Sequence, residues 1–342
     1  MRKFFITYLL VIGYLCQSVA QEDNIVGQSR FLQKVNPSAF GMNNMNKTGV
    51  LYNSVGLVGN VSIESQYFFG AISFDIDNFS LGLDVYSLTM DNSGYVSTIP
   101  SLSYIYKIQI DNDVYFLPSI TLGLGNRKID TSKLIFEDQL SLVSGYLQTE
   151  SRDPLSQLIS NANYLDLGAS FIIHSSNYMF GGGIKHLNQP NTSFVENPDV
   201  SLPIRYLVQG GYEFDVNPYD RTVLPRYSTV YAFISASKSG SNLSFYLSQE
   251  AQLGQFSIGL NQQFQKTQDF GFTNIGLSVA LAYENFEFGA LYNFPFQPIR
   301  KNPLEFNVYS PSTIEVFLTF DFSPYLRNKR GDYRRLSIDN YY

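Results

Sequence analysis

The stretch GAISFDIDNFSLGLDVY, Gly70 to Tyr86, alternates apolar and polar residues up to Asp77-Asn78 and then repeats the alternation in mirror image. Period-two patterning sends successive side chains to opposite faces of a strand, and mirror symmetry about a polar dipeptide marks a hairpin. With Asp77-Asn78 as a two-residue turn, facing residues have numbers that sum to 155: Ile76 with Phe79, Phe74 with Leu81, Ile72 with Leu83 and Gly70 with Val85. One face is apolar, and Ser73, Asp75, Ser80, Gly82 and Asp84 share the other. One such hairpin suits a soluble sandwich as well as a membrane barrel, so repetition and strand length decide.

The device recurs. In LSYIYKIQIDNDVYFLPSITLGL, a loop at Asp111 to Asp113 gives a pair sum of 224 and gathers Leu102, Tyr104, Tyr106, Ile108, Ile110, Val114, Phe116, Pro118, Ile120, Leu122 and Leu124 on one face. The other face carries Ser103, Lys107, Gln109, Ser119 and Thr121, with Ile105, Tyr115 and Leu117 as apolar exceptions. In IGLSVALAYENFEFGALYNF, a turn at Glu284-Asn285 gives 569 and joins Tyr283 to Phe286 and Leu281 to Phe288. In YLDLGASFIIHSSNYMFGGGI, a four-residue loop separates Leu165, Leu167, Ala169, Phe171 and Ile173 from Tyr178, Phe180, Gly182 and Ile184.

Strands this long match the ~9 to 11 residues that cross a membrane rather than the ~5 to 6 of a sandwich. The chain reads as all-β, a transmembrane outer-membrane barrel. Its fourteen expected antiparallel strands are 47–57, 64–76, 79–89, 99–110, 114–124, 164–173, 178–187, 203–214, 227–237, 242–253, 256–265, 272–283, 286–295 and 312–322. In such barrels short turns face the periplasm and long loops face outward, so the even count puts both termini in the periplasm. The segments 87–98, 125–163 and 188–202 are then the outer loops. The last strand, STIEVFLTFDF, points Ile314, Val316, Leu318, Phe320 and Phe322 at lipid and Thr319 and Asp321 inward.

Composition agrees where it bears on the class. With 25 Tyr, 28 Phe and no Trp, any aromatic girdle is built of Tyr and Phe, and charged residues are only 15%. MRKFFITYLLVIGYLCQSVAQ has basic residues, an apolar run and a small-residue cleavage pattern, the form of a secretory signal cut before Gln21. Cys16 departs with it, so the mature chain offers no disulfide, thiolate metal site or Cys nucleophile. Net charge moves from −6 to −8 once Arg2 and Lys3 are removed, and nothing in that balance suggests a nucleic-acid binder. The organisation is 1–20 signal peptide, 21–46 N-terminal segment acting as a plug or periplasmic arm, 47–322 barrel, and 323–342 basic periplasmic tail.

The pieces FLQKVNPSAFG, MFGGGIKHLNQPNTSF, LPIRYLVQGGYEFDVNP, FYLSQEAQLGQFSIGL and FLTFDFSPYLRNKRGDYRR resemble, in the same order, segments of the PorP/SprF family of type IX secretion proteins from Bacteroidetes. The likeness is nearest to the SprF branch associated with gliding adhesins. Asn36-Pro37-Ser38 departs from the Asn-Pro-Ala more frequent in that family. The resemblance implies an outer-membrane barrel that helps a secreted adhesin with a type B C-terminal domain reach the cell surface or stay attached to it. Its implied partners are that adhesin, other components of the secretion machine and the lipid bilayer. The candidate partner-binding residues are Asn188, Gln189, Pro190, Asn191 and Phe194 of the outer loop, and Arg327, Lys329, Arg330, Arg334 and Arg335 of the tail.

Two other classes compete. A barrel hydrolase needs a base near its outer rim. His186 ends a strand there without a serine placed beside it by spacing, and His174 reads as a solvated turn residue. Gly181-Gly182-Gly183 lacks the Lys-Ser/Thr of a phosphate loop and reads as close strand packing. Asp75, Asp84, Asp166 and Glu284 have no metal-ligand spacing, and no cofactor is implied. A plugged channel for hydrophobic small molecules is the other class, since VNPSAFG resembles the N-terminal plug of fatty-acid transporters. The inner face speaks against it, being mostly Ser, Thr, Gly, Gln and scattered charges.

Overall fold

Alternation over ten or more residues leaves one apolar face per strand to be covered and a row of backbone groups to be paired, and a closed sheet in lipid satisfies both at once. The computed structural model describes residues 25–56, 62–74, 76–90, 93–130, 139, 151, 161–194, 200–217, 219, 223–226, 228–266, 270–296, 298–300, 308–323 and 333–336. The expected signal peptide with its cleavage point, Asp75, and the tail residues Arg327, Lys329 and Arg330 lie outside the described residues.

The strands are β1 (Lys47–Gly56), β2 (Ser62–Phe74), β3 (Phe79–Met90), β4 (Tyr95–Tyr106), β5 (Ile108–Asp111), β6 (Val114–Ile129), β7 (Asn161–Ser175) and β8 (Tyr178–Lys185). They continue with β9 (Arg205–Asp215), β10 (Thr229–Ser239), β11 (Asn242–Leu253), β12 (Phe256–Lys266), β13 (Phe270–Tyr283), β14 (Phe286–Pro295), β15 (Pro298–Arg300), β16 (Val308–Tyr309) and β17 (Ser312–Asp321). Sequential neighbours pair antiparallel, β17 joins β14 to β1, and β4 pairs with β6. Among the described residues this closes a ring of fourteen strands, with β5 outside it on β6 and β15–β16 a separate hairpin.

The faces fall as the alternation requires. On β17, Ile314, Val316 and Leu318 are 43 to 47% exposed to the surroundings, whereas the alternating Glu315, Phe317 and Thr319 are 1%, 8% and 3% exposed. A belt of outward aromatics, including Tyr104, Tyr178, Tyr212, Phe286 and Phe288, girdles the barrel.

Register is right in two of the four hairpins and shifts by two in the others, where the turn is wider or tighter than expected. The sums 569 and 224 hold, with Tyr283 opposite Phe286 and Leu102 opposite Leu122. In the first hairpin Phe74, not Ile76, faces Phe79, so the sum is 153 and the turn is two residues wider than expected. In the fourth hairpin β7 runs on to Ser175 and Ile173 faces Phe180, so only Ser176 and Asn177 remain in the turn rather than four residues. A two-residue slip preserves every face, because the side-chain period is two. The expected strand 99–110 is also broken: Lys107 turns inward, its N–H donating to Asn78 O at 2.8 Å and its ammonium to Ser73, and β5 departs beyond it.

One end of the barrel carries the short connections at 76–78, 112–113, 176–177, 254–255 and 284–285, with 216–228 the longest there; this is the turn end. The other, the loop end, carries the long connections between β6 and β7 and between β8 and β9, but also the two-residue turn at 240–241.

Candidate functional site

Residues 25–46 fill the interior, and local chemistry shapes them. Asn36 is the N-cap of a 3-10 segment, Pro37–Asn44: its side chain accepts from Ser38 N at 3.0 Å, and Pro37 pre-sets the first turn. The Asn36 amide also donates to Phe171 O on β7 at 3.1 Å, which inward-facing Gly181 permits, since a Cβ there would sit 3.0 Å from that amide nitrogen. Ser38, the point of departure from Asn-Pro-Ala, is fully buried and bonds Ser119 at 2.8 Å and Ser170 at 2.9 Å.

Phe31 and Phe40 anchor this plug on the inner wall of β2, β3 and β17, and Gly41 lies close against Ile105 of β4 and Leu117 of β6. Phe31 lies 6.3 Å from Tyr67 and 5.4 Å from Phe317, edge to face, and Phe40 lies 6.3 Å from Phe69. Gly82 makes room for Phe40, because a Cβ there would meet its ring at 2.1 Å. Ile105, Tyr115 and Leu117, the apolar exceptions on the polar face, are all buried in this cluster. The inner wall is therefore not uniformly polar, as the alternation alone would have it: one sector is apolar and covered by the plug.

Strand-borne carboxylates hold the rest. Glu315, 1% exposed, accepts the backbone N–H of Val26 and of Gly27, the latter at 2.8 Å, and the Asn53 amide at 2.8 Å. At the turn end, Arg30 reaches Glu250 at 2.7 Å and also Glu287 and Ser257. Lys47 meets Glu287 at 3.3 Å.

The C-terminal segment enters the same place. Arg335 bridges Glu250 at 2.7 Å and Glu287 at 2.9 Å, so two arginines from opposite ends of the sequence share two glutamates. The N–H groups of Arg335 and Leu336 donate to the two oxygens of Glu213 at 3.0 and 2.9 Å. Leu336 is fully buried, and Arg335 O accepts from the plug's Asn43 at 2.9 Å. Arg334 donates to Asn177 at 2.8 Å in a turn. Of the five basic tail residues expected to bind a partner, the two that are described, Arg334 and Arg335, are engaged in the barrel mouth. Desolvation draws the Arg30 guanidinium down from its ordinary value, against the pull of Glu250. Desolvation acts the same way on Arg335, but Glu250 and Glu287 outweigh it and the value rises.

His174, expected as a solvated turn residue, is fully buried on β7, with Nε2 2.9 Å from Asn43 Oδ1 of the plug. His186 pairs with Asp166 at 2.9 Å, beside a cavity of about 70 Å³ at the loop end lined also by Lys34, Asp84, Tyr86 and Arg205. Among the described residues no His, Cys, Asp or Glu cluster could hold a metal ion.

Among the described residues, the loop-end candidates are tied to the returning strand side at Val200–Leu202. Asn188 laps over the rim of β7, donating to Leu165 O at 2.6 Å and accepting from Leu167 N at 3.1 Å. Pro190 is buried and its carbonyl accepts from Leu202 N at 3.0 Å, while Asn191 bridges to Ser201. Asn188, Gln189 and Asn191 are exposed and Phe194 is half-buried. Arg30, Glu213, Glu250, Glu287 and Glu315 are absent from the sequence-derived candidates. The signal available was inward parity: Glu287 faces Ala282 across the turn whose register reads correctly.

Residues 20–320 match the family model described as Type IX secretion system membrane protein PorP/SprF. None of the curated proteins compared matches the chain. Similar solved structures include a deltaS2 mutant of the TodX monoaromatic hydrocarbon channel, with TM-score 0.48 and 10% identity, covering 84% of this chain and 93% of that one. They also include the Acinetobacter baumannii outer membrane protein Omp33, with TM-score 0.42 and 8% identity over 82% and 100%. The KdgM porin has TM-score 0.35 and 9% identity over 80% and 99%.

Proposed function

The chain belongs to the PorP/SprF family of type IX secretion membrane proteins, and from that membership we propose that it supports export or cell-surface anchoring of a large adhesin with a type B C-terminal domain, in service of gliding motility, as the SprF branch implies. The membership itself makes it an outer-membrane barrel of the secretion system and points to a structural or transport role rather than an enzymatic one.

The single observation that carries the reading beyond a plain pore is the plug: residues 25–46 bond or pack against inner-wall residues of β2, β6, β7, β11, β14 and β17. A barrel so filled suits a scaffold that holds a partner at its rims more than an open conduit. In this reading the outer loop residues Asn188, Gln189, Pro190, Asn191 and Phe194 meet the adhesin. The tail's Arg327, Lys329 and Arg330 meet a component of the machine on the periplasmic side, where the turn end is placed. Shortening residues 190–200 should release the adhesin from the cell surface while barrel abundance in the outer membrane stays unchanged. Retention of the adhesin at normal surface levels would overturn the loop's role.

The transport reading keeps one observation in its favour, the apolar sector of the inner wall. Its residues are covered by Phe31 and Phe40, so a hydrophobic solute would have to displace the plug.

A further inference from the structure

Residues 333–336 are seated as a peptide ligand is seated. Glu213, on β9 and 2% exposed, takes two successive backbone N–H groups, a bidentate contact that reads the bend of the main chain at Arg335–Leu336 regardless of side chain. Glu250 and Glu287, from two other strands, take the Arg335 guanidinium, and the side chain of Leu336 is fully buried beside them. The recognition elements are therefore complete: main chain, one guanidinium, one aliphatic side chain.

The charges also permit the segment to leave. Without Arg335, Glu250 keeps Arg30 at 2.7 Å and Glu287 keeps Arg30 and Lys47, so neither carboxylate loses its only cation. Glu213 keeps the hydroxyl of Thr229 at 3.2 Å and gains water where the segment had been. A cavity of about 140 Å³ lined by Arg30, Asn43, Lys47, Glu287, Tyr333 and Arg335, among others, already adjoins the seat.

We propose that Glu213, Glu250, Glu287 and the pocket for Leu336 form a peptide-binding site at the turn end, selective for a bent segment carrying Arg followed by an aliphatic residue. In the resting chain it is filled in cis by Arg334–Leu336, and a peptide of the same chemistry supplied in trans competes for it. The site is a property of the barrel mouth and does not rest on the adhesin reading.

A fluorescent peptide of residues 332–337, Asp-Tyr-Arg-Arg-Leu-Ser, titrated against the full chain in detergent tests this. A tethered occupant lowers apparent affinity by the fraction of time the site is filled, so the double variant Arg335→Ala, Leu336→Ala should bind the peptide about tenfold or more tightly than the unmodified chain. Adding Glu213→Gln should reverse that gain, and a scrambled peptide should not bind. In the otherwise unmodified chain with Tyr333→Cys, excess unlabelled peptide should speed modification of the thiol at position 333, a readout that does not depend on the double variant folding. Equal binding by the unmodified chain and a folded double variant, equal binding of the scrambled peptide, or a modification rate indifferent to peptide would each overturn the proposal.

Discussion

Two glutamates perform the same act for opposite ends of the chain. Glu315 receives the consecutive N–H groups of Val26 and Gly27, and Glu213 receives those of Arg335 and Leu336. The two segments differ in the contacts they add to their clamps. Beyond Gly27 the plug presses Phe31 and Phe40 onto an aromatic and aliphatic seat and runs on into β1, whereas the described part of the tail adds the guanidiniums of Arg334 and Arg335 and one leucine. Apolar packing has no substitute partner once broken, while the carboxylates that hold Arg335 have other cations at hand. The N-terminal segment is thus built as a fixed part of the barrel and the C-terminal one as an exchangeable part.

This contrast is most vulnerable at Phe40. Phe40→Ala removes a fully buried ring from a seat that cannot collapse around Gly82, and should destabilise plug packing by ~3 to 5 kcal/mol. Faster hydrogen exchange at residues 36–42, with β-sheet circular dichroism retained, would register it. Unchanged protection there would mean that the seat contributes nothing.

Glu315→Ala comes next. It strands two buried N–H groups and the Asn53 amide, a loss on the order of 3 kcal/mol. Proteolysis between residues 25 and 30 should accelerate, and resistance equal to that of the parent would deny the clamp its role. Glu213→Gln should weaken only tail docking, by about 1.5 to 3 kcal/mol, because a neutral amide offers one acceptor where the carboxylate offered two. A spin label at Tyr333 would gain mobility while one at Ser29 would not. Equal changes at both sites would erase the distinction between fixed and exchangeable ends. Ser38→Ala should do least, about 0.5 to 1.5 kcal/mol for the lost hydroxyl contacts to Ser119 and Ser170, read as a small drop in the barrel's melting temperature.

Much of this architecture is legible in the residues, and the limits have physical causes. Alternation fixes which face a side chain takes but not where the turn ends, since a slip of two preserves the pattern. That is why Phe74 rather than Ile76 faces Phe79 although the paired residues of β2 and β3 keep the faces expected of them. The apolar intruders Ile105, Tyr115 and Leu117 are visible as violations of the polar inner face, and the Phe40–Gly41 part of the plug that explains them lies more than sixty residues away in sequence. The inward glutamates are visible by parity, their arginines are not. Arg30 and Arg335 belong to segments without period-two alternation, so no local pattern states that both reach Glu250 and Glu287. His174 misleads for a related reason, because the turn suggested by the surrounding composition is shorter than expected and the residue stays on β7 beneath Asn43.

That one barrel holds one terminus by apolar packing and the other by exchangeable charge is tested most directly by hydrogen–deuterium exchange of the full chain in detergent at low salt and at about 1 M salt. Screening at that ionic strength acts over ~3 Å and weakens the partly exposed contacts of Arg335 far more than the seat under Phe40. Amides at 335 and 336 should lose protection as salt rises while those at 39–42 keep theirs. Loss of protection in both segments together, or in neither, would contradict the division between a fixed and an exchangeable end.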